Sequence, residues 1–206
     1  MIESPERPAG QKDVLGLALP KMKTVRVGFV GLGMRGPSAV EDFCLIPGVE
    51  IVALCDYVEA RAAKQNETLR KHGLAPAAVY YGEKGYEDLC RRNDIDLVYI
   101  ATDWEHHAVV AKCAMENGKN VADEVPSAMN LEECWQLIDL AEQKQLNCMI
   151  LENCCYDWFE MRTLNMAQHG VFGEILHAQG AYIHNLDEFW DYYWKNPNGS
   201  DPEQLG

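Results

Sequence analysis

Apolar residues in this chain fall into short, near-continuous runs separated by stretches of helical period. The runs at 25–30, 50–55, 79–81, 96–101, 120–122 and 147–151 have the length of strands, and their lack of polar alternation is that of parallel strands buried on both faces. Between them, 37–46, 59–72, 86–91 and a stretch ending at Asn117 read as helices, closed by Pro47-Gly48, Gly73 or Gly118. Asn130 is placed to cap a further helix, with Glu133 at the capping-box position. Its Leu131, Cys134, Trp135, Ile138 and Ala141 form one apolar stripe, which puts Trp135 in the core. A last helix is expected over 158–168, before Gly170.

Strand and helix alternate throughout, so the expected fold class is α/β, a doubly wound parallel sheet. The pattern changes at Gly173: 174–183 reads as a longer strand, 187–194 is acidic and aromatic without a period, and 196–202 is rich in turn residues. The expected organisation is an extended lead-in over 1–23, a complete α/β domain over 24–170, and over 173–206 the beginning of a truncated α+β C-terminal domain. No internal repeat or low-complexity tract interrupts this order.

The first run breaks at Gly28-Phe29-Val30-Gly31-Leu32-Gly33-Met34-Arg35-Gly36, where Gly31, Gly33 and Gly36 have the G-x-G-x-x-G spacing. In a Rossmann-type turn the first glycine makes the bend, the second lets backbone approach a pyrophosphate, and the third lets helix pack on strand. The phosphates then rest on the orphan N–H groups of the following helix. Asp56 ends the next strand, where a carboxylate meets the adenosine ribose in this class of site. Ligands of doubly wound sheets lie outside the carboxyl ends of the strands. The junctions Thr102-Asp103-Trp104-Glu105-His106-His107, Glu124-Val125-Pro126 and Glu152-Asn153-Cys154-Cys155-Tyr156 are therefore expected to border one crevice. Thr102 and Glu105 also have capping-box spacing, which accounts for both without a ligand.

Charge narrows the partners. Eighteen basic against thirty-two acidic residues leave a formal charge of −14, which repels nucleic acid and anionic membrane surfaces, so a phosphate-bearing cofactor has to be held by local backbone amides. No stretch approaches the ~20 apolar residues of a membrane helix. The eight cysteines contain no C-x-x-C pair and mostly occupy apolar positions, which reads as free thiols in a reducing compartment. A cytoplasmic location is expected for the chain as it stands, and a periplasmic or secreted one if an export signal preceded it. No metal site is expected.

The glycine turn, Leu54-Cys55-Asp56, Asp96-Leu97-Val98-Tyr99-Ile100, Glu124-Val125-Pro126, Glu152-Asn153-Cys154-Cys155-Tyr156 and Gly180-Ala181-Tyr182-Ile183-His184 together resemble the Gfo/Idh/MocA oxidoreductase superfamily. Within it they are most similar to glycoside hydrolase family 109, the NAD-dependent α-N-acetylgalactosaminidase branch. The resemblance spans most of 24–195. It implies NAD contacts at Met34, Arg35, Asp56, Thr102, Trp104, His107, Glu124, Val125 and Asn153, and a carbohydrate contact at Tyr182. Each has a structural role open to it as well. Asp56 could be a solvated strand-end acid, His107 a partly buried helix histidine, and Tyr156 and Tyr182 packed aromatics.

Ordinary sugar dehydrogenases of the superfamily carry Glu-Lys-Pro where this chain has Glu124-Val125-Pro126, and valine can neither give nor take a proton. The glycosidase branch implies transient oxidation at C3 of the sugar, elimination of the glycosidic substituent, water addition and re-reduction, so that NAD is regenerated. Tyr182 is then the first candidate for proton transfer, followed by Glu152 and His184. Two alternatives stay open: a conventional NAD-dependent sugar or inositol dehydrogenase, and a non-enzymatic NAD-binding sensor. Residues 1–206 alone are expected to bind NAD without hydrolysing substrate, and a homo-oligomer through the C-terminal domain is left open.

Overall fold

The computed structural model describes residues 7–181 together with 183, 185 and 187. It divides into two compact units, one ending at Leu151 and the other beginning at Glu152. The division lies ahead of the 170–173 boundary expected from the sequence.

In the first unit six strands form one parallel sheet: β1 Val25–Val30, β2 Val49–Asp56, β3 Ala78–Tyr81, β4 Leu97–Ile100, β5 Asn120–Asp123 and β6 Cys148–Ile150. Their order is β3-β2-β1-β4-β5-β6. Helices α1 Gly36–Phe43, α2 Glu59–Lys71, α3 Gly85–Cys90, α4 His107–Glu116 and α5 Leu131–Lys144 connect them. This is the doubly wound α/β fold expected, and the strand order reverses between β1 and β4.

Each sheet face carries its own core. Val27, Phe29, Ile51 and Leu54 pack with Val40 of α1 and Ala62 and Leu69 of α2. Ala53, Cys55, Val98 and Val121 pack with Leu89 of α3, Ala111 and Met115 of α4 and Leu137 of α5. On the first face Phe29 stacks on Tyr99 with centroids 4.9 Å apart, and Phe43 meets both rings edge-on. Such pairs add about 0.5–1.5 kcal/mol each beyond the area they bury.

Several local readings change. α5 buries Leu137, Ala141 and Glu142, while Leu131, Cys134 and Ile138 are exposed and Trp135 is only half-buried. A helix's apolar stripe does not reveal which side its neighbours cover. Here Lys112 of α4 bonds Gln136, and Arg7 and Gln11 of the lead-in bond Glu142. The Asn130 cap forms, its Oδ1 accepting from the Glu133 N–H at 2.9 Å. The Thr102/Glu105 box does not: the Thr102 hydroxyl donates to the Asp103 carbonyl, and Asp103 accepts the Glu105 N–H instead. Cys55 and Cys90 are buried, but Cys134, Cys154 and Cys155 are exposed, and all eight cysteines are free.

The second unit contains α6 Trp158–Gln168, which has no buried residue. The described part of 174–183 is not a strand. Strands exist by pairing, and no partner strand lies in this unit among the described residues.

One ion pair ties the amino ends of the central strands β1 and β4 together. Arg26 binds Asp96 through Nε at 2.9 Å and Nη2 at 2.6 Å, and its own N–H adds a third bond to the same carboxylate. The hydrogen-bonded guanidinium holds the Asp96 carboxyl below its ordinary range against the opposing effect of burial. A depressed carboxylate stabilises the fold above its unfolded pKa and loses that contribution as pH falls through the folded value. Asp96→Asn is expected to cost about 1–2 kcal/mol at neutral pH, discounted for the partial exposure of Arg26. That corresponds to about 3–6 °C in Tm. The gap between variant and parent should narrow in calorimetry as pH falls below the ordinary carboxylate range and through the depressed value of Asp96, where its side chain loses its charge.

Candidate functional site

The carboxyl ends of β1 and β4 meet at Gly31. Its φ of +93° is one that L side chains rarely adopt, its N–H donates to the Cys55 carbonyl at 2.9 Å, and a Cβ there would run into the Ala101 carbonyl and the Thr102 nitrogen. Gly36 is equally constrained, because a Cβ would overlap the Gly31 carbonyl. Gly33 differs from both. Its φ lies outside the left-handed region, and the nearest atom to an added Cβ is Nη1 of Arg61 at 3.7 Å, an ordinary contact. The fold therefore demands glycine at 31 and 36 but not at 33, where the open side faces the cleft. A backbone cradle that only a ligand would fill is what a pyrophosphate requires.

The helix beyond the turn suits the same ligand. No side chain caps α1, so its first N–H groups and the positive end of its dipole face outward. Met34 and Arg35 are exposed at its entrance. Asp56, 6% exposed, accepts the Leu32 N–H at 2.7 Å and the Val58 N–H at 2.8 Å, with Arg61 Nη1 3.7 Å from Oδ1. It thus braces the glycine turn from the end of β2, and a carboxylate's remaining lone pairs can still accept ribose hydroxyls. Beside it an open cleft of about 470 Å³ runs between α1 and α2, lined by Leu32, Gly33, Ser38, Glu41, Arg61 and Lys64 among others.

On the other side of the switch point the expected residues have different surroundings. Glu124 follows β5, and one of its oxygens accepts from Arg35 Nε at 2.8 Å and from the Tyr99 hydroxyl at 2.5 Å. Burial, reinforced by the Glu124 carboxylate, pushes the Tyr99 phenol well above its usual value, so it stays a donor. The glycine turn and the β5 exit are joined through this carboxylate. Val125 is exposed beside it, and Thr102 and Trp104 are half-buried. His107 is 1% exposed, with Nδ1 2.5 Å from Asp123 Oδ1 and Nε2 3.2 Å from the Thr102 carbonyl oxygen. Both ring nitrogens are thereby engaged inside the protein.

Glu152 and Asn153 belong to the second unit, where both are exposed and the Asn153 N–H donates to Glu152 Oε1 at 3.0 Å. Tyr182 and His184 lie outside the described residues. Residue type marks neither Tyr99 nor Asp123 as part of a site, because Tyr99 sits within an apolar strand run and Asp123 directly after one. A polar atom at the carboxyl end of a parallel strand was the available signal. Among the described residues no group of three or more histidine, cysteine or acidic side chains could hold a metal ion, and no helix is long and apolar enough to cross a membrane.

Residues 25–152 match the family described as an oxidoreductase family with an NAD-binding Rossmann fold, Gfo/Idh/MocA. A Phocaeicola vulgatus protein named glycosyl hydrolase family 109 protein 5 is 71% identical over 196 residues, 95% of this chain and 38% of that protein. The chain therefore spans well under half the length of this relative. Among solved structures the fold is shared with a myo-inositol dehydrogenase from Lactobacillus casei in complex with NAD(H) and myo-inositol. That protein is 24% identical with a TM-score of 0.64, over 73% of this chain and 43% of its own. A 3-ketoreductase from Actinomadura kijaniata in complex with NADP and TDP-benzene is 25% identical with a TM-score of 0.60, over 74% of this chain and 44% of its own. With the reversed parallel sheet and the glycine turn at its switch point, the match places the chain in the Gfo/Idh/MocA oxidoreductase family, with its NAD-binding Rossmann fold.

Proposed function

We propose that the protein is an NAD-dependent glycosidase acting on an α-N-acetylgalactosaminide or a related amino sugar by transient oxidation, elimination and re-reduction. The observation that carries this reading is the exit of β5. Val125 has no ionisable group, and the Glu124 oxygen nearest the glycine turn is already committed to Arg35 and Tyr99. Oxidation of a sugar hydroxyl, net or transient, needs a group to accept its proton, and this turn offers none where the sugar dehydrogenases carry lysine, so that arrangement is not used and the proton falls to a group elsewhere at the sugar. The high identity to a relative named as a family 109 glycosyl hydrolase supports the same reading.

The chain's own residues divide the work of binding. The N-terminus of α1 and the bare backbone at Gly33 receive the pyrophosphate, and Asp56 receives the adenosine ribose. Arg35, Glu124 and Tyr99 form a fixed floor toward the nicotinamide half. When bound, the nicotinamide supplies acceptance and return of hydride at a sugar carbon. Proton transfers at the sugar fall to Tyr182 first, with Glu152 and His184 behind it.

The test is redox balance in the full-length protein. Release of nitrophenol from nitrophenyl α-N-acetylgalactosaminide without net NADH absorbance is the expected result. NADH accumulating with free sugar, and no nitrophenol release, would replace the glycosidase by a dehydrogenase. NAD bound without either reaction would point to a sensor.

A further inference from the structure

The most deeply buried polar pair of the first unit is His107 and Asp123, and the cofactor reading leaves it without work. Asp123 ends β5 and is fully buried, while His107 opens α4. The ring lies between two acceptors: a carboxylate oxygen 2.5 Å from Nδ1 and the Thr102 carbonyl oxygen 3.2 Å from Nε2. A carbonyl can only accept, so Nε2 carries a hydrogen and donates it. One further proton lies between Nδ1 and Oδ1. Whichever of those atoms holds it, the pair is neutral overall, which is the form of buried ion pair that costs least. The Ser127 hydroxyl, on the loop after β5, and the Cys148 thiol of β6 also face this carboxylate. Neither gives the second carboxylate oxygen a hydrogen bond.

The two ends of this bridge are the two loops that border the far half of the crevice. Thr102 follows β4, and its nitrogen is among the atoms nearest the missing Cβ of Gly31. Asp123 precedes Glu124, which receives Arg35 and Tyr99. With the pyrophosphate at the glycine turn and the adenosine ribose at Asp56 on the β2 side, the β4 and β5 exits flank the nicotinamide half. We propose that His107 is a positioning residue: it fixes the distance between the β4 and β5 exits, and so shapes the nicotinamide half of the site, without touching the cofactor. This rests on the NAD-binding reading and refines the direct contact implied by the family resemblance.

Two variants separate the ends of the bridge. The amide nitrogen of Asn reaches roughly as far as Nδ1 and that of Gln roughly as far as Nε2, so His107→Asn keeps the Asp123 side and His107→Gln keeps the Thr102 side. The probes are NAD and ADP-ribose, which lacks the nicotinamide, titrated against the full-length protein with Tm recorded for each variant. The expected result for His107→Asn is about tenfold weaker NAD binding, on the scale of one lost hydrogen-bonded position, with ADP-ribose unchanged. His107→Gln, which cuts the bridge at its Asp123 end, should weaken NAD binding to a similar extent, again with ADP-ribose unchanged. Parallel weakening of both ligands by either variant would mean a merely structural histidine, and unchanged binding of both would mean that the bridge positions nothing. If the parent protein binds neither ligand, the NAD-binding reading itself fails. If either variant fails to fold, the other still reads the NAD to ADP-ribose ratio, and a ratio unchanged from the parent overturns the proposal.

Discussion

Gly33→Val is expected to abolish dinucleotide binding while leaving the fold intact. A Cβ at this position meets only the tip of Arg61 at 3.7 Å, and its φ is accessible to other residues. Nothing inside the protein opposes the added Cβ. The branched side chain instead occupies the space that the pyrophosphate must enter to reach the backbone and the first turn of α1. NAD affinity should fall at least about 100-fold, since a steric block at the phosphates removes the hydrogen bonds and the dipole interaction together. The Tm should move by no more than about 2 °C, as for a substitution without packing consequences. Gly31→Ala is the control with the opposite signature. It places a side chain at φ +93° and against the Ala101 carbonyl, so the protein itself should lose more than about 2 kcal/mol. NAD titration and calorimetry on the two variants separate a ligand-required glycine from a fold-required one. Unchanged binding by Gly33→Val would make the spacing purely structural.

The second large effect is expected at Asp56, which should favour NAD over NADP by at least about tenfold. A 2′-phosphate would have to approach a carboxylate that is already buried and holding two backbone N–H groups. Arg61, 3.7 Å away, offsets part of that repulsion, so Arg61→Ala should widen the preference. Asp56→Ala should narrow it by weakening NAD binding. The same change leaves the buried Leu32 N–H without its acceptor, at a cost of about 1–3 kcal/mol. Titration of both dinucleotides against parent and variants is the measurement. Equal affinity of the parent for NAD and NADP would remove Asp56 from the role of ribose discriminator.

Much of the site was legible before any coordinates because local physics wrote it. The glycine spacing, the acid at the end of β2 and the apolar runs follow from backbone sterics and strand burial, which are properties of short segments. The cap at Asn130 is equally local and formed as read. The competing cap at Thr102 did not form, because Asp103 offers a nearer carboxylate to the same N–H groups. Residue types alone could not rank those two acceptors. The resemblance implies a nicotinamide-side place for Glu124, but not its partners, Arg35 and Tyr99, which come from segments 89 and 25 residues away. The resemblance implies a cofactor contact at His107, and only the packing of α4 on β5 shows both its nitrogens occupied within the protein.

By itself, then, the sequence determined the alternation of strand and helix, the doubly wound parallel sheet, the glycine turn at Gly31 to Gly36 and the absence of an ionisable group at Val125. These depend on neighbours within a few positions along the chain. Only the tertiary structure decided which of these glycines the fold itself requires, which face of α5 is covered, and that Tyr99, Glu124, His107 and Asp123 form two bridges across the strand exits. Those outcomes depend on which distant atoms arrive within 3 Å of a given group, and a residue's type records its capacity for such a contact but not its partner.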